Sequence, residues 1–81
     1  MSQVTIYTAP GCPQCHAMKR HMSKRGIEYQ EVNMALDDEA RQKVMDAGFR
    51  QAPVTDLGDG ELFYGFRPDR VDAMQPAMQS A

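Results

Sequence analysis

The sequence predicts one α/β domain in the order β-α-β-α-β-β-α, with a four-stranded mixed sheet flanked by three helices. β-branched and aromatic residues alternate in runs of strand length, as at Val4-Thr5-Ile6-Tyr7. Apolar residues recur at helical spacing in two longer segments, residues 13–25 and 38–47. Glycine and proline punctuate the joints at Pro10-Gly11, Gly26, Gly48 and Gly58-Asp59-Gly60. A chain of 81 residues has room for one domain with one modest core.

Taken in order, Val4, Ile6 and Thr8 alternate with Thr5 and Tyr7, which predicts a first strand over residues 3–8. Ala9-Pro10-Gly11 breaks it. A helix follows from Pro13 to Arg25, because proline at the first helical position gives up an N–H that would be unpaired there anyway. Cys15, Met18 and Met22 fall on one face of it, whereas Lys19, Arg20 and Lys24 point elsewhere. Gly26 can end the helix in the left-handed conformation. Residues 27–34 read as a second strand with split parity: Ile27 and Tyr29 on one side, Val32 and Met34 on the other. Burial on both faces or a bulge would account for that.

Asp37 or Asp38 caps a second helix carrying Ala40, Val44 and Ala47 at helical spacing, and Gly48 ends it. Pro53-Val-Thr-Asp-Leu57 and Glu61-Leu-Phe-Tyr64 flank the glycine-rich turn as a hairpin. Pro68 opens a last short helix to about Met74. The expected domain spans residues 1–75, with 76–81 a flexible tail. A β-α-β start gives two parallel strands joined by a right-handed crossover, and the hairpin adds antiparallel strands. This is the thioredoxin-like layout at its minimal size.

Composition narrows the function. At 42% hydrophobic and 25% charged, the chain has the make-up of a soluble globular protein. It has no apolar run of about 18 residues for a membrane span. Its Met1-Ser-Gln-Val start lacks a basic segment followed by a long apolar one. The expected location is therefore the cytoplasm. A net charge of −2 argues against a nucleic-acid partner, and Lys19-Arg20 to Lys24-Arg25 reads as a solvated helix face.

Both cysteines of the chain lie in Cys12-Pro13-Gln14-Cys15, between a strand and a helix. A disulfide this close in sequence closes too small a loop to stabilise much, so its spacing has to be explained by chemistry. Residues three apart on a helix have Cβ atoms about 5–6 Å apart, within easy reach of disulfide geometry. Cys12 stands at the helix N-terminus, where unpaired N–H groups and the helix dipole stabilise a thiolate. Thiols so placed titrate between roughly 3.5 and 7.5 rather than near 8.5. Cys12 is thus the expected nucleophile on a substrate disulfide. Cys15, on the apolar face, is the thiol that resolves the mixed disulfide.

Two other readings use the same residues. Cys12-Pro-Gln-Cys15-His16 matches the haem-attachment pattern C-x-x-C-H, with methionine as a possible axial ligand. The preceding strand and the mixed α/β pattern weigh against it. A zinc site from Cys12, Cys15, His16 and His21 would draw all its ligands from one short helix, unlike structural zinc sites. His16 and His21 are expected on the helix surface. Met18, Met22, Met34, Met45 and Met74 are expected as core filler. Tyr7 and Phe63 are expected to pack, and Phe66 to stay exposed as a docking surface.

Over residues 3–74 the sequence resembles the glutaredoxin-like NrdH redoxins. The matching stretches are Thr5-Ile-Tyr-Thr8, Cys12-Pro-Gln-Cys-His-Ala-Met-Lys19, Gly48-Phe-Arg-Gln-Ala-Pro-Val54 and Gly65-Phe-Arg-Pro-Asp69. The resemblance implies a dithiol electron carrier that holds no bound cofactor. Its implied partners are the large subunit of a class Ib ribonucleotide reductase, to which it donates electrons, and thioredoxin reductase, which draws on NADPH. It implies a monomer and weak or absent glutathione binding, with a glutathione-dependent glutaredoxin as the alternative. It assigns substrate or partner contact to Gly11, Pro13, Gln14, Ala52, Pro53, Gly65 and Phe66. On the residues alone Pro53 would be a trans turn proline; the resemblance implies a cis bond lying against the dithiol. Glutaredoxins carry Gly-Gly-x-x-Asp where this chain has Gly65-Phe66, and a phenylalanine there crowds the glutathione groove, although Asp69 keeps its place. Two further departures from the family pattern are Pro13 where valine is usual and Phe63-Tyr64 where Trp-Ser is common.

Overall fold

Strands β1 (Val4–Thr8), β2 (Tyr29–Asn33), β3 (Val54–Asp56) and β4 (Leu62–Tyr64) alternate as expected with helices α1 (Pro13–Lys24) and α2 (Asp38–Asp46). This is a computed structural model that describes residues 4–58 and 61–73. A third helix, α3, starts at Pro68 and continues through residue 73. The expected first-strand residue Gln3, the turn residues Asp59 and Gly60, Met74 and the tail lie outside the described residues.

The sheet order is β2-β1-β3-β4. β1 and β2 run parallel with Val4 opposite Tyr29 and Thr8 opposite Asn33, an unbroken register that leaves no bulge. β3 pairs antiparallel with β1, Ile6 opposite Thr55, and with β4, Thr55 opposite Phe63. Because side chains alternate across a strand, these pairs sort into two faces. Val4, Ile6 and Phe63 join Met18, Met22, Ile27 and Val71 in one core under α1 and α3. Tyr7 and Val54 join Met34 and Val44 in a second core under α2. The split parity of β2 follows from this: Ile27 and Tyr29 face α1, while Val32 and Met34 face α2.

Both major helices end in the same way, and each ending delivers a residue to a core. After α1, Gly26 takes φ +75°, its N–H bonds to the Ser23 carbonyl, and the Ile27 N–H bonds back to Met22 at 2.9 Å. After α2, Gly48 takes φ +97°, its N–H bonds to Met45, and the Phe49 N–H bonds back to Val44 at 3.1 Å. These are Schellman caps, in which the residue after the glycine packs on the helix's last turn. Ile27 and Met22 share one core, and Phe49 and Val44 share the other. The second cap also directs residues 49–53 towards the cysteines. Asp37 caps α2, its carboxylate accepting the Ala40 N–H at 3.0 Å.

Two apolar expectations fail on α2. Met45 is 48% exposed, because it stands about 100° around the helix from Val44, outside the narrow strip of Ala40 and Val44. Ala47 is the C-cap, where the chain has already turned outward, and it is exposed.

Candidate functional site

The site begins where β1 ends. Gly11 adopts φ +66°, a left-handed conformation that costs a residue with a Cβ about 1–2 kcal/mol, and it turns the chain from the strand into α1. Cys12 is the N-cap, in extended conformation, with Pro13 opening the helix. The Cys12 carbonyl accepts the Cys15 and His16 N–H groups at 3.1 and 3.3 Å. The Cys12 sulfur accepts the Cys15 N–H at 3.1 Å. Cys12 and Cys15 are joined as a disulfide, with Cα atoms 5.2 Å apart. Cys12 is half-buried, whereas Cys15 is 2% exposed beneath it.

The loop after α2 meets this turn. The Ala52 carbonyl lies 3.5 Å from Cys12 Sγ, and the Ala52–Pro53 bond is cis. With the sulfur oxidised, the approach is a contact; a Cys12 thiol has the proton to make it a hydrogen bond. The Pro53 carbonyl accepts the Gly65 N–H at 2.8 Å, which draws the exit of β4 to the same place. Gly65 has φ +94°, and a Cβ there would stand 3.5 Å from Gln14 Oε1. Cys12, Gln14, Cys15, Ala52, Pro53 and Gly65 are therefore brought together, with Gly11 and Pro13 exposed on the turn. Phe66 stands one residue further on, 40% exposed, its ring edge-on to His21 at a centroid distance of 6.1 Å.

His16 is on the surface, as expected. His21 is not: it is half-buried, and its Nε2 lies 3.0 Å from the Asp72 carboxylate. Arg25 reaches the same oxygen at 2.7 Å. Arg25 first and His21 second hold the Asp72 carboxyl below the usual range. This cluster ties α3 to α1 across a separation of 51 residues. No local pattern in the sequence reports such a pairing.

A second polar cluster was readable in principle. Glu31 shares the parity of Tyr29 and so faces α1, where Lys19 stands one turn beyond Cys15. Glu31 Oε2 accepts from Lys19 Nζ and from Thr8 Oγ1, each at 3.0 Å. Lys19 is thereby removed from the solvated face expected for it. The Lys19 hydrogen bond is the main cause holding the Glu31 carboxyl below its ordinary value, with Thr8 and the charge of His16 adding to it. A depressed folded-state value means that this contribution to stability is complete above the unfolded value, 4.5, and is lost as pH falls through the folded value. A carboxyl-resolved NMR titration should find Glu31 titrating below 4.5 in the wild type and higher in Lys19→Met. An unchanged midpoint would remove Lys19 as the cause.

Among the described residues, no three His, Cys, Asp or Glu side chains converge as a metal-binding group, and no helix is long and apolar enough to cross a membrane.

Comparison with known proteins agrees with this geometry. The glutaredoxin family model matches residues 4–62. The "Glutaredoxin-like protein NrdH" of Salmonella typhimurium is 44% identical over 78 residues, covering 96% of this chain and 95% of that protein. The protein of the same name from Lactococcus lactis is 38% identical, covering 84% and 93%. The solved structure of the glutaredoxin-like protein NrdH-redoxin from Escherichia coli superposes with a TM-score of 0.83 at 42% identity. It covers 89% of this chain and 93% of that one, and is described as having a thioredoxin-like activity profile.

Proposed function

Since the chain belongs to the glutaredoxin family and to its NrdH-like members, and so is a thiol–disulfide oxidoreductase, we propose that it works as a dithiol electron donor with Cys12 as nucleophile and Cys15 as resolving thiol. The observation that carries this reading is the asymmetry of the pair. One sulfur is half-buried at the α1 N-terminus under a donated N–H, and the other is enclosed one turn further in. In the reduced protein the Cys12 thiolate attacks one sulfur of a substrate disulfide, and the other sulfur leaves as a thiolate. Cys15 then gives up its proton and attacks Cys12 Sγ, which forms the Cys12–Cys15 bond and frees the second substrate thiolate. Two electrons pass to the substrate. The N–H of Cys15 and the dipole of α1 favour the negative charge that Cys12 carries as the attacking thiolate in the first step. Ala52, Pro53, Gly11, Pro13, Gln14, Gly65 and Phe66 form the surface that receives the substrate chain, with the Ala52 backbone pairing to it as an added strand would.

The partners follow from the same reading: the large subunit of a class Ib ribonucleotide reductase as acceptor, and thioredoxin reductase with NADPH as source. The protein would act in the cytoplasm as a monomer without a bound cofactor. The thioredoxin-like activity profile stated for the Escherichia coli relative supports a reductase source. So does the glutaredoxin acid position: Asp69 is held by Arg67 at 3.1 and 3.0 Å, beside the exposed Phe66. The direct test is NADPH oxidation in the presence of a small disulfide, with either thioredoxin reductase or glutathione plus glutathione reductase. Turnover is expected with the first. Turnover with the second alone would make glutathione the electron source and overturn the partner assignment.

A further inference from the structure

The chain on either side of Phe66 fixes its backbone but not its ring. Gly65 is pinned by its N–H bond to the Pro53 carbonyl at 2.8 Å, and Pro68 opens α3 on the other side. The Phe66 side chain is 40% exposed. An exposed aromatic ring is free to change rotamer, and a partner that docks on it has to take that freedom away. Whatever holds the ring in advance therefore strengthens docking.

The ring is held from α1. Gln14, His21 and Arg25 are spaced by seven and then four residues, so they form a stripe along one face of that helix. The segment from Gly65 to Asp72 lies along this stripe. A Cβ on Gly65 would stand 3.5 Å from Gln14 Oε1, the Phe66 ring centroid is 6.1 Å from that of His21, and Asp72 meets both His21 and Arg25. His21 and Phe66 stand at 84° to each other, the edge-to-face arrangement that aromatic pairs favour.

The His21 ring is itself fixed from behind. The Asp72 carboxyl is kept ionised by its two cationic neighbours, and a carboxylate only accepts hydrogen bonds. The 3.0 Å contact therefore puts a proton on His21 Nε2 and sets the plane of the imidazole. Arg25 anchors the same Asp72 oxygen, at 2.8 Å from Nε and 2.7 Å from Nη2. From Arg25 through Asp72 and His21, a row of contacts ends on the one ring of this face that solvent reaches.

We infer that His21 is a positioning residue for partner binding: held by Asp72, it keeps the Phe66 ring in the orientation that a protein partner meets. The inference rests on the reading that thioredoxin reductase re-reduces this chain and docks over Phe66. His21 stands nearly two turns beyond Cys15 on α1, so its effect falls on recognition of a protein and leaves the thiol chemistry alone.

The test is NADPH oxidation by thioredoxin reductase, with a small disulfide in excess and the concentration of this chain varied. His21→Gln keeps a donor for Asp72 but has no ring. It should raise the KM of the reductase for this chain about two- to tenfold. Its kcat should stay within about twofold of the wild type, because only binding is altered. The reduced variant should also react with the small disulfide at the wild-type rate. His21→Phe, which restores a ring against Phe66, should lie closer to the wild type than to His21→Gln. Combined with Phe66→Ala, His21→Gln should add little to the loss that Phe66→Ala causes alone, since it acts through that ring. In NMR, side-chain couplings should show one χ1 rotamer for Phe66 in the wild type and an average in His21→Gln. An unchanged KM in His21→Gln, or losses that add in full in the double variant, would overturn the inference. A slower reaction of His21→Gln with the small disulfide would also overturn it, because His21 would then act on the dithiol. Failure of the underlying reading would show separately, as a wild type that reduces the small disulfide when driven by dithiothreitol yet draws no electrons from the reductase. That result would remove the partner, and the inference with it.

Discussion

Replacing Cys12 by serine should reduce disulfide turnover to the uncatalysed level, whereas replacing Cys15 by serine should arrest the reaction halfway. Every electron in the proposed cycle enters the substrate through Cys12 Sγ, and a serine hydroxyl at the same N-cap is not a thiolate nucleophile at neutral pH. In Cys15→Ser the first attack proceeds, but no second sulfur lies beneath to displace the substrate. The mixed disulfide then accumulates, visible by intact mass as one substrate thiol bound per protein and removed by reductant. Both variants should fold. Serine is an accepted N-cap in its own right, and Cys15→Ser places a small hydroxyl on a helix. Disulfide turnover by Cys12→Ser at the wild-type rate would contradict the assigned roles. A trapped adduct on Cys15 in the Cys12 variant would do the same.

The second large effect concerns the core that supports the site. Met18 is fully buried one turn beyond Cys15, in the cluster with Ile6, Phe63 and Val71. Met18→Ala should cost about 2–5 kcal/mol. At 0.05–0.15 kcal/mol per residue, a domain of this length has only about 4–12 kcal/mol in total. Urea unfolding should therefore show a much lower midpoint at a similar slope, and the loss should be larger than for Met45→Ala on the exposed face of α2. Equal effects at the two methionines would contradict the two-core packing.

What was legible in the sequence was what depends on near neighbours. The Cys12–Cys15 spacing, Pro13 at the first turn, Gly26 and Gly48 at the helix ends and the parity of β2 are all local signals, and each describes the fold as it is. Parity also puts Glu31 on the side of Tyr29, which faces α1 and Lys19. The bond between His21 and Asp72 could not be read, because the packing of α3 against α1 sets it. Met45 lies outside the core for another reason. Hydrophobicity says that a methionine can fill a core, but only its angle from Val44 says whether it does.

The central claim, that α1 activates Cys12 as the nucleophile, is tested most directly by alkylating the reduced protein with iodoacetamide across pH and locating the label by peptide mass. The account predicts that Cys12 is labelled before Cys15. Its rate should level off well below about pH 8.5, where an ordinary thiol is half-ionised. Labelling of Cys15 first, or a Cys12 rate still rising through that pH, would contradict it.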